Sequence, residues 1–424
     1  MKVSEILEKA SQSRLLREDP YVKKIWELVH DRSLFEKSPD YLLSLRRSLL
    51  REALDYFRRH SDYYARLFEK LDINPRNAEL EDLEKLAVPS ELIRGEGHKR
   101  FLIRDVEPGG KYFMSSGTTG RNTVKVYRSP LDLAIMITVN TALFEYVYGG
   151  ELEENKGIAL FMAAPELKER LNFVAFVHYA LEAKGIELLY GMRLLTGVKE
   201  GTPWQRLVPN KDNLVKFLKS KEEPKLFFTA PAGVYLLSKK FGELGFIKRI
   251  FTRILTGAPP VDLGRGGVIV TGGGTKGFTD LPPYDKIVEL ARRHFYARNE
   301  KGEKIDVPFM DVLGMTETLA ALISRFGIMD LMPHPLTHVF LLEPKTFKMM
   351  HEDGEGILGM FNPFTTSWLE VFYPGDILRS HPSDRYYGKE YVYVRRLTKE
   401  EGWDLQRACG GTLEELMTEG RKVE

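Results

Sequence analysis

A chain of 424 residues exceeds what one small core requires, so one large domain with appendages, or two domains, is expected, with room to bury an active site. With 62 basic against 60 acidic side chains and a formal net charge of +2, nothing draws the chain to nucleic acid in general; the single cysteine, Cys409, excludes an intrachain disulfide and a multi-cysteine zinc site. No run reads as long and apolar enough to cross a membrane, and the N-terminal MKVSEILEKASQSRLLREDP has helical charge spacing without the apolar run of a signal peptide, so a cytoplasmic protein is expected.

Residues 1–100 predict a helical layer, because Val22, Ile25, Trp26, Leu28 and Val29, then Leu42, Leu45, Leu49, Leu50, Leu54 and Phe57, recur at helical spacing among Arg, Lys and Glu. Over 101–333 the texture changes. Short apolar runs at Ile158 to Met162, Leu226 to Thr229 and Val268 to Thr271 alternate with helical patterns at Leu171 to Lys184 and Tyr284 to Phe295, which predicts a layered α/β core with much parallel sheet. From 334 to 424 the strand-like runs Val339 to Leu342, Trp368 to Phe372 and Tyr391 to Val394, parted by Gly and Pro turns, predict a smaller β-rich subdomain.

Four local motifs stand in order along this frame. The first, Ser115-Ser116-Gly117-Thr118-Thr119-Gly120, offers hydroxyls and glycine backbone N–H groups to phosphate oxygens and is built as an anion cradle; it lacks the Gly-Lys ending of a P-loop, and Lys125 is the nearest downstream cation. The others are Thr271 to Gly277 with Gly272, Gly273 and Gly274, then Leu313-Gly314-Met315-Thr316-Glu317-Thr318, then Tyr373-Pro374-Gly375-Asp376. Each alone has a plain structural reading, as a surface loop, a turn after a strand, a helix cap or a Pro-Gly turn.

Together, from roughly Tyr112 to Cys409, these motifs resemble the adenylate-forming superfamily of acyl-CoA synthetases, luciferases and peptide-synthetase adenylation domains. The resemblance implies ATP and Mg2+ as cofactors and a carboxylic acid as substrate. It implies that Ser115, Ser116, Gly117, Thr118, Thr119 and Gly120 hold the ATP phosphates, with Lys125 able to lend its charge, and that Gly272, Gly273 and Gly274 lie along the adenine. Thr316 would meet the α-phosphate and Glu317 the magnesium; Asp376 would accept the ribose hydroxyls, with Arg396, ahead of Arg395, beside it. These roles suit the residue types, since an ionised Asp only accepts hydrogen bonds and magnesium needs only one or two protein carboxylates. Leu313 stands where many members place an aromatic on the adenine.

Superfamily members usually continue for about a hundred residues into a mobile domain with a catalytic lysine, whereas this sequence stops at Glu424. In that respect, in the Gly-Gly-Gly-Thr-Lys-Gly run and in the place of Cys409, it resembles the acyl-protein synthetase (LuxE-type) branch, related to the phenylacetate-CoA ligases. That branch implies a fatty acid as the substrate and Cys409 as a thioester-carrying acceptor. Arg407 would favour the thiolate, and Gly410 and Gly411 would allow close approach; the plain alternative is a small buried hydrophobe. Coenzyme A or a partner protein remain as other acyl acceptors or donors, as does a nucleotide-binding regulatory subunit without turnover. The sequence leaves homo-oligomerisation open. His334 and His338 flank Pro335 and offer a poor metal pair, His178 reads as a core histidine ahead of a catalytic one with an acyl-pocket role open, and Trp204, Trp368 and Trp403 read as packing residues.

Overall fold

The structure is a computed structural model, described here for residues 1–115, 123–199, 202–243, 260–272, 281–325, 330–397 and 421–422. Two compact units emerge, each assembled from separate stretches: Met1–Tyr146 with Gly314–Ile323 and Met329–Leu405, and Val147–Leu313 with Ser324–Ile328 and Gln406–Glu424.

The first unit begins with the expected helices, Val3–Ser11, Arg14–Glu18, Pro20–His30, Pro39–His60 and Asp62–Lys70. The longest starts where the Ser38 hydroxyl accepts the Tyr41 N–H and Pro39 occupies the first turn; it ends on Arg58, Arg59 and His60, cations at the negative end of the helix dipole. Its buried stripe of Leu42, Leu49, Leu50, Ala53, Leu54 and Phe57 follows the helical period read from the sequence. The β-rich part of this unit is a seven-stranded sheet in the order Val88–Pro89, Glu370–Tyr373, Glu355–Asn362, Asp376–Pro382, Lys389–Arg396, Asp330–Leu331, with His338–Leu342 also on Glu355–Asn362. Only the pairing of Val88–Pro89 with Phe372–Tyr373 is parallel. Tyr56 and Tyr64 tie the helices to one end of the sheet, the Tyr56 hydroxyl donating to the Thr366 carbonyl and the Tyr64 hydroxyl accepting from the Leu369 N–H.

The helix Pro130–Tyr148 corrects one expectation. At 19 residues it is long and apolar enough to cross a membrane by length and composition, yet 83% of its most apolar window is buried. Leu131, Leu133, Ala134, Ile135, Met136, Val139 and Leu143 are wholly or almost wholly enclosed, as in a core helix that is hydrophobic all round.

The second unit carries the parallel sheet. The sheet has six strands in the order Leu322–Arg325, Phe309–Leu313, Val268–Gly272, Lys225–Thr229, Ile158–Phe161, Glu187–Tyr190; across the last five every neighbouring pair is parallel, with Ile269 opposite both Phe309 and Phe227. Four of these five strands are apolar without alternation and buried residue by residue or nearly so, because helices cover both faces of such a sheet. Asn172–Ala183, Lys211–Lys219, Pro231–Glu243 and Tyr284–Arg292 supply the helices. Phe217, Phe227, Ile269, Ile287, Phe295 and Phe309 pack in one core. The run expected to be helical as far as Phe295 breaks at Arg292, and Phe295–Arg298 is a strand, in keeping with its aromatic start. A hairpin, Met192–Lys199 and Thr202–Pro209, pairs on its edge with Arg421–Lys422.

Candidate active site

The Thr316-Glu317-Thr318 turn is held from below by buried polar groups of the first unit. Arg128, on the strand Lys125–Arg128, is completely enclosed; its guanidinium donates to the Glu317 carbonyl at 2.6 Å and the Thr316 carbonyl at 3.4 Å, and to the Glu370 carboxylate at 2.6 Å. The other Glu370 oxygen accepts the Leu319 N–H at 3.1 Å and an amide N–H of Asn362 at 2.5 Å, and Asn362 also donates to the Thr318 hydroxyl. Asn140 closes the far side of the turn, donating to the Leu319 carbonyl and accepting the Ala321 N–H. Burial pushes the Glu370 carboxyl up, and Arg128, Leu319 and Asn362 pull against it. Satisfied to this degree, the network fixes the backbone of residues 316 to 321.

The side chains on top of the turn are not spent in this way. Thr316 is 2% exposed and its hydroxyl has no hydrogen-bond partner among the described residues. The Glu317 carboxylate, 6% exposed, enters no hydrogen bond or ion pair among the described residues. A buried hydroxyl without a partner forfeits free energy unless something outside the chain satisfies it, so the pair fits a phosphate oxygen and a divalent cation respectively.

Asp376 reaches the same region from a different direction. Gly375, at φ +83°, turns the chain into the strand Asp376–Pro382, in a conformation that favours glycine. Register then sets Asp376 opposite Arg396. Arg396 donates to the Pro374 carbonyl at 3.0 Å, and its Nε lies 3.9 Å from the Asp376 carboxylate, while Arg395 is an exposed neighbour. Burial alone would pull the Arg396 guanidinium down; the charges of Asp376, Glu317, Tyr393 and Glu91 outweigh it and hold it above its ordinary value. Glu317 and Asp376, 59 positions apart by their numbers, thus act on one cation.

Residues 88–95 connect this corner to the glycine loop. Pro89 pairs with Tyr373, just before the Pro-Gly turn, and Arg94 bridges to Val124, just after the loop, with the Gly95 N–H on the Thr123 carbonyl at 2.8 Å. Glu91 lies between: burial pushes its carboxyl up, the Glu317 charge adds to that push, and Arg94 and Arg396 oppose it.

The remaining expected residues are placed as follows. Ser115 ties off the loop, its N–H donating to the Val124 carbonyl at 2.8 Å and its hydroxyl accepting the Val124 N–H at 3.0 Å. Lys125 lies 4.7 Å from the centre of the Tyr112 ring and 4.0 Å from the Glu96 carboxylate. Gly272 ends its strand in the second unit, where a β-carbon would come within 2.6 Å of the far edge of the Phe173 ring, which would have to shift to admit it. Leu313 is buried. Ser116, Gly117, Thr118, Thr119, Gly120, Gly273, Gly274 and Cys409 lie outside the described residues, as does Trp403. Trp368 is buried as expected, and His334 accepts the Leu336 N–H among aromatic rings. His178 is not a core histidine: it is half-buried and bonded to Lys168 at 2.9 Å and Tyr190 at 3.0 Å, with Glu182 at 3.3 Å. Arg128, Asn140, Asn362, Glu370 and Glu91 escape a reading by motif; a charged residue inside the apolar run Trp368 to Phe372 was the one available sign of a buried pair.

No protein-family profile matches the chain, and no curated protein matches it in sequence. Solved structures of 2-hydroxyisobutyryl-CoA ligase do share its fold. The ligase in its postadenylation state with R3-HIB-AMP superposes with a TM-score of 0.57 at 12% identity, covering 86% of this chain and 68% of the ligase. Its open conformation with 2-HIB-AMP and CoA gives 0.54 at 15% identity, covering 82% and 72%. The chain shares the layered α/β fold of this ligase.

Proposed function

We propose that the protein uses ATP to activate a carboxylic acid as its acyl-adenylate and then transfers the acyl group to a thiol. The observation that carries this reading is the partnerless buried Thr316 hydroxyl beside the uncommitted Glu317 carboxylate, on a rigid turn whose charge reaches the Asp376–Arg396 corner. In the first step a carboxylate oxygen of the acid bonds to the α-phosphorus, the bond from that phosphorus to the bridging oxygen breaks, and pyrophosphate leaves. In the second, a thiol sulfur bonds to the acyl carbon, AMP leaves, and the thiol proton passes to solvent.

Thr316 donates its hydroxyl proton to an α-phosphate oxygen, where negative charge develops, and the buried Arg128 keeps that donor from reorganising. Asp376 accepts the ribose hydroxyls, and Arg396 fixes its place. The serine-threonine-glycine loop cradles the outer phosphates, with its mouth held shut by Ser115 and Val124. Magnesium, held by Glu317, would neutralise phosphate charge when bound.

Within this reading the acid is a fatty acid and the first thiol acceptor is Cys409, which makes the protein an acyl-protein synthetase that works in the cytoplasm. The second reading, transfer to coenzyme A, is favoured by the shared fold with a ligase solved with CoA. A pyrophosphate-exchange screen across acids of differing chain length and aromaticity tests the first step. If ATP binds but no acid supports exchange, the chain is a nucleotide-binding regulatory subunit instead. Hydroxylamine-labile label from a fatty acid, lost in Cys409→Ser, is expected for the acyl-protein reading; free thioester formed equally well by Cys409→Ser assigns the acceptor to coenzyme A.

A further inference from the structure

A cavity of about 410 Å³ lies in the first unit, away from the Asp376 corner. Ser380 and Tyr391, which face each other four positions along one strand and five along the other from the Asp376–Arg396 pair, border it. Its floor holds a cation in an unusual state. Arg46 is 2% exposed; its Nε and Nη2 both donate to one acceptor, the Pro335 carbonyl, at 2.9 and 2.6 Å, and the guanidinium carbon stands 4.2 Å from the centre of the Tyr387 ring. No carboxylate pairs with it among the described residues.

A guanidinium has five N–H donors, and one carbonyl with an aromatic face is a poor counter-charge for a buried one. Next to it in the wall, the His338 Nδ1 is buried without a partner among the described residues, and burial together with Arg46 and Arg47 holds that imidazole neutral down to about 3, so it can present an N–H. The Tyr387 and Tyr391 hydroxyls are turned to the Val339 main chain and leave only their rings to the cavity. Phe340, Met349 and Met350 complete an apolar wall. Asp40, Glu81 and Glu352 also border the cavity, and all three are exposed; Arg47 and Lys389 border it too, but each is ion-paired, with Glu79 and Asp353, so among the described residues the charges left unpaired at the rim are acidic and the unpaired cation stands inside.

This gradient selects a ligand class. A polyanion such as a nucleotide would meet the exposed carboxylates, whereas a single negative charge that passes them finds Arg46, and an apolar body behind it finds Phe340 and the two methionines. We infer that the cavity binds a small monocarboxylate with an apolar chain, its carboxylate on Arg46 and His338 and its chain along Phe340 and Met350. The inference is independent of the adenylation reading, because none of these residues belongs to that site.

Calorimetric titration of the intact protein with sodium octanoate, without ATP, tests it, with octylammonium as a control of opposite charge. Saturable binding of octanoate and none of octylammonium is expected. Arg46→Met is expected to weaken octanoate by roughly tenfold or more, the loss typical of one charge-assisted hydrogen bond. Leu43→Trp, at a rim position already 38% exposed, blocks the entrance without touching the core and is expected to weaken binding similarly even if the Arg46 variant does not fold. Absence of saturable octanoate binding, equal binding of octylammonium, or unchanged octanoate affinity in Leu43→Trp overturns the assignment.

Discussion

The Thr316–Glu317 turn and the Asp376–Arg396 corner meet in one electrostatic neighbourhood, but they are held there by different means. The turn rests on a buried ion pair and its amide neighbours, which hydrogen-bond to the turn and to one another. The corner rests on strand register and a single left-handed glycine, so the backbone, more than the side chains of Asp376 and Arg396, holds it in place. The difference teaches that damage to the turn should spread into folding, while damage to the corner should stay in binding.

Arg128→Met gives the largest expected effect. It strands the Glu370 carboxylate in the interior and removes the donor from two carbonyls, so unfolding in urea should show a loss of about 3–5 kcal/mol. Adding Glu370→Leu should return part of that, since the stranded charge goes with it. A single variant as stable as the parent would break the contrast drawn above.

Glu317→Gln comes next and should separate chemistry from stability. The carboxylate makes no hydrogen bond to the described chain, so stability should hold to within about 0.5 kcal/mol, while pyrophosphate exchange should fall by roughly a hundredfold.

His98, beside Trp368 at 5.3 Å and coupled to the Arg128 charge, sharpens the comparison through pH. Burial first, and Arg128 second, lower its value from 6.5 to about 3. Below 6.5 the unfolded chain takes a proton that the folded chain refuses, so stability is full at neutral pH and declines as pH falls toward 3. At pH 5 this one group should account for about 2 kcal/mol of loss, and the drop between pH 7 and pH 5 should shrink by that amount in His98→Gln, read by urea unfolding at both pH values. Asp376→Asn should have the smallest effect of the four: roughly a tenfold rise in the KM for ATP in the exchange assay, with little change in unfolding.

The same contrast explains what the sequence disclosed. Periodicity exposed the helices from Val22 to Phe57 and the buried strands at Ile158, Leu226 and Val268, because those elements obey a local rule that any window reveals. Thr316, Glu317 and Asp376, to which the proposed function gives the ligand contacts, stand out in the sequence because each sits in a short motif with its own turn chemistry. Arg128, Asn140, Asn362 and Glu370 were not, since their meaning comes only from partners up to 242 positions away, as for Arg128 with Glu370. His178 misled for a related reason: its helix is apolar, but Lys168 and Tyr190 approach it from outside that helix. Gly272 had a tertiary cause as well, the ring of Phe173.

The clasp of Ser115 on Val124 has a practical consequence. It fixes Ser115 beside Val124, nine positions further along the chain, and the entropy of closing a stretch of chain between two fixed ends grows so slowly that doubling its length costs only about 0.6 kcal/mol. Insertions there should therefore be nearly silent in a folding assay. A graded series of added residues would then serve as a ruler, reporting how closely turnover depends on the span of that segment while the rest of the molecule stays intact.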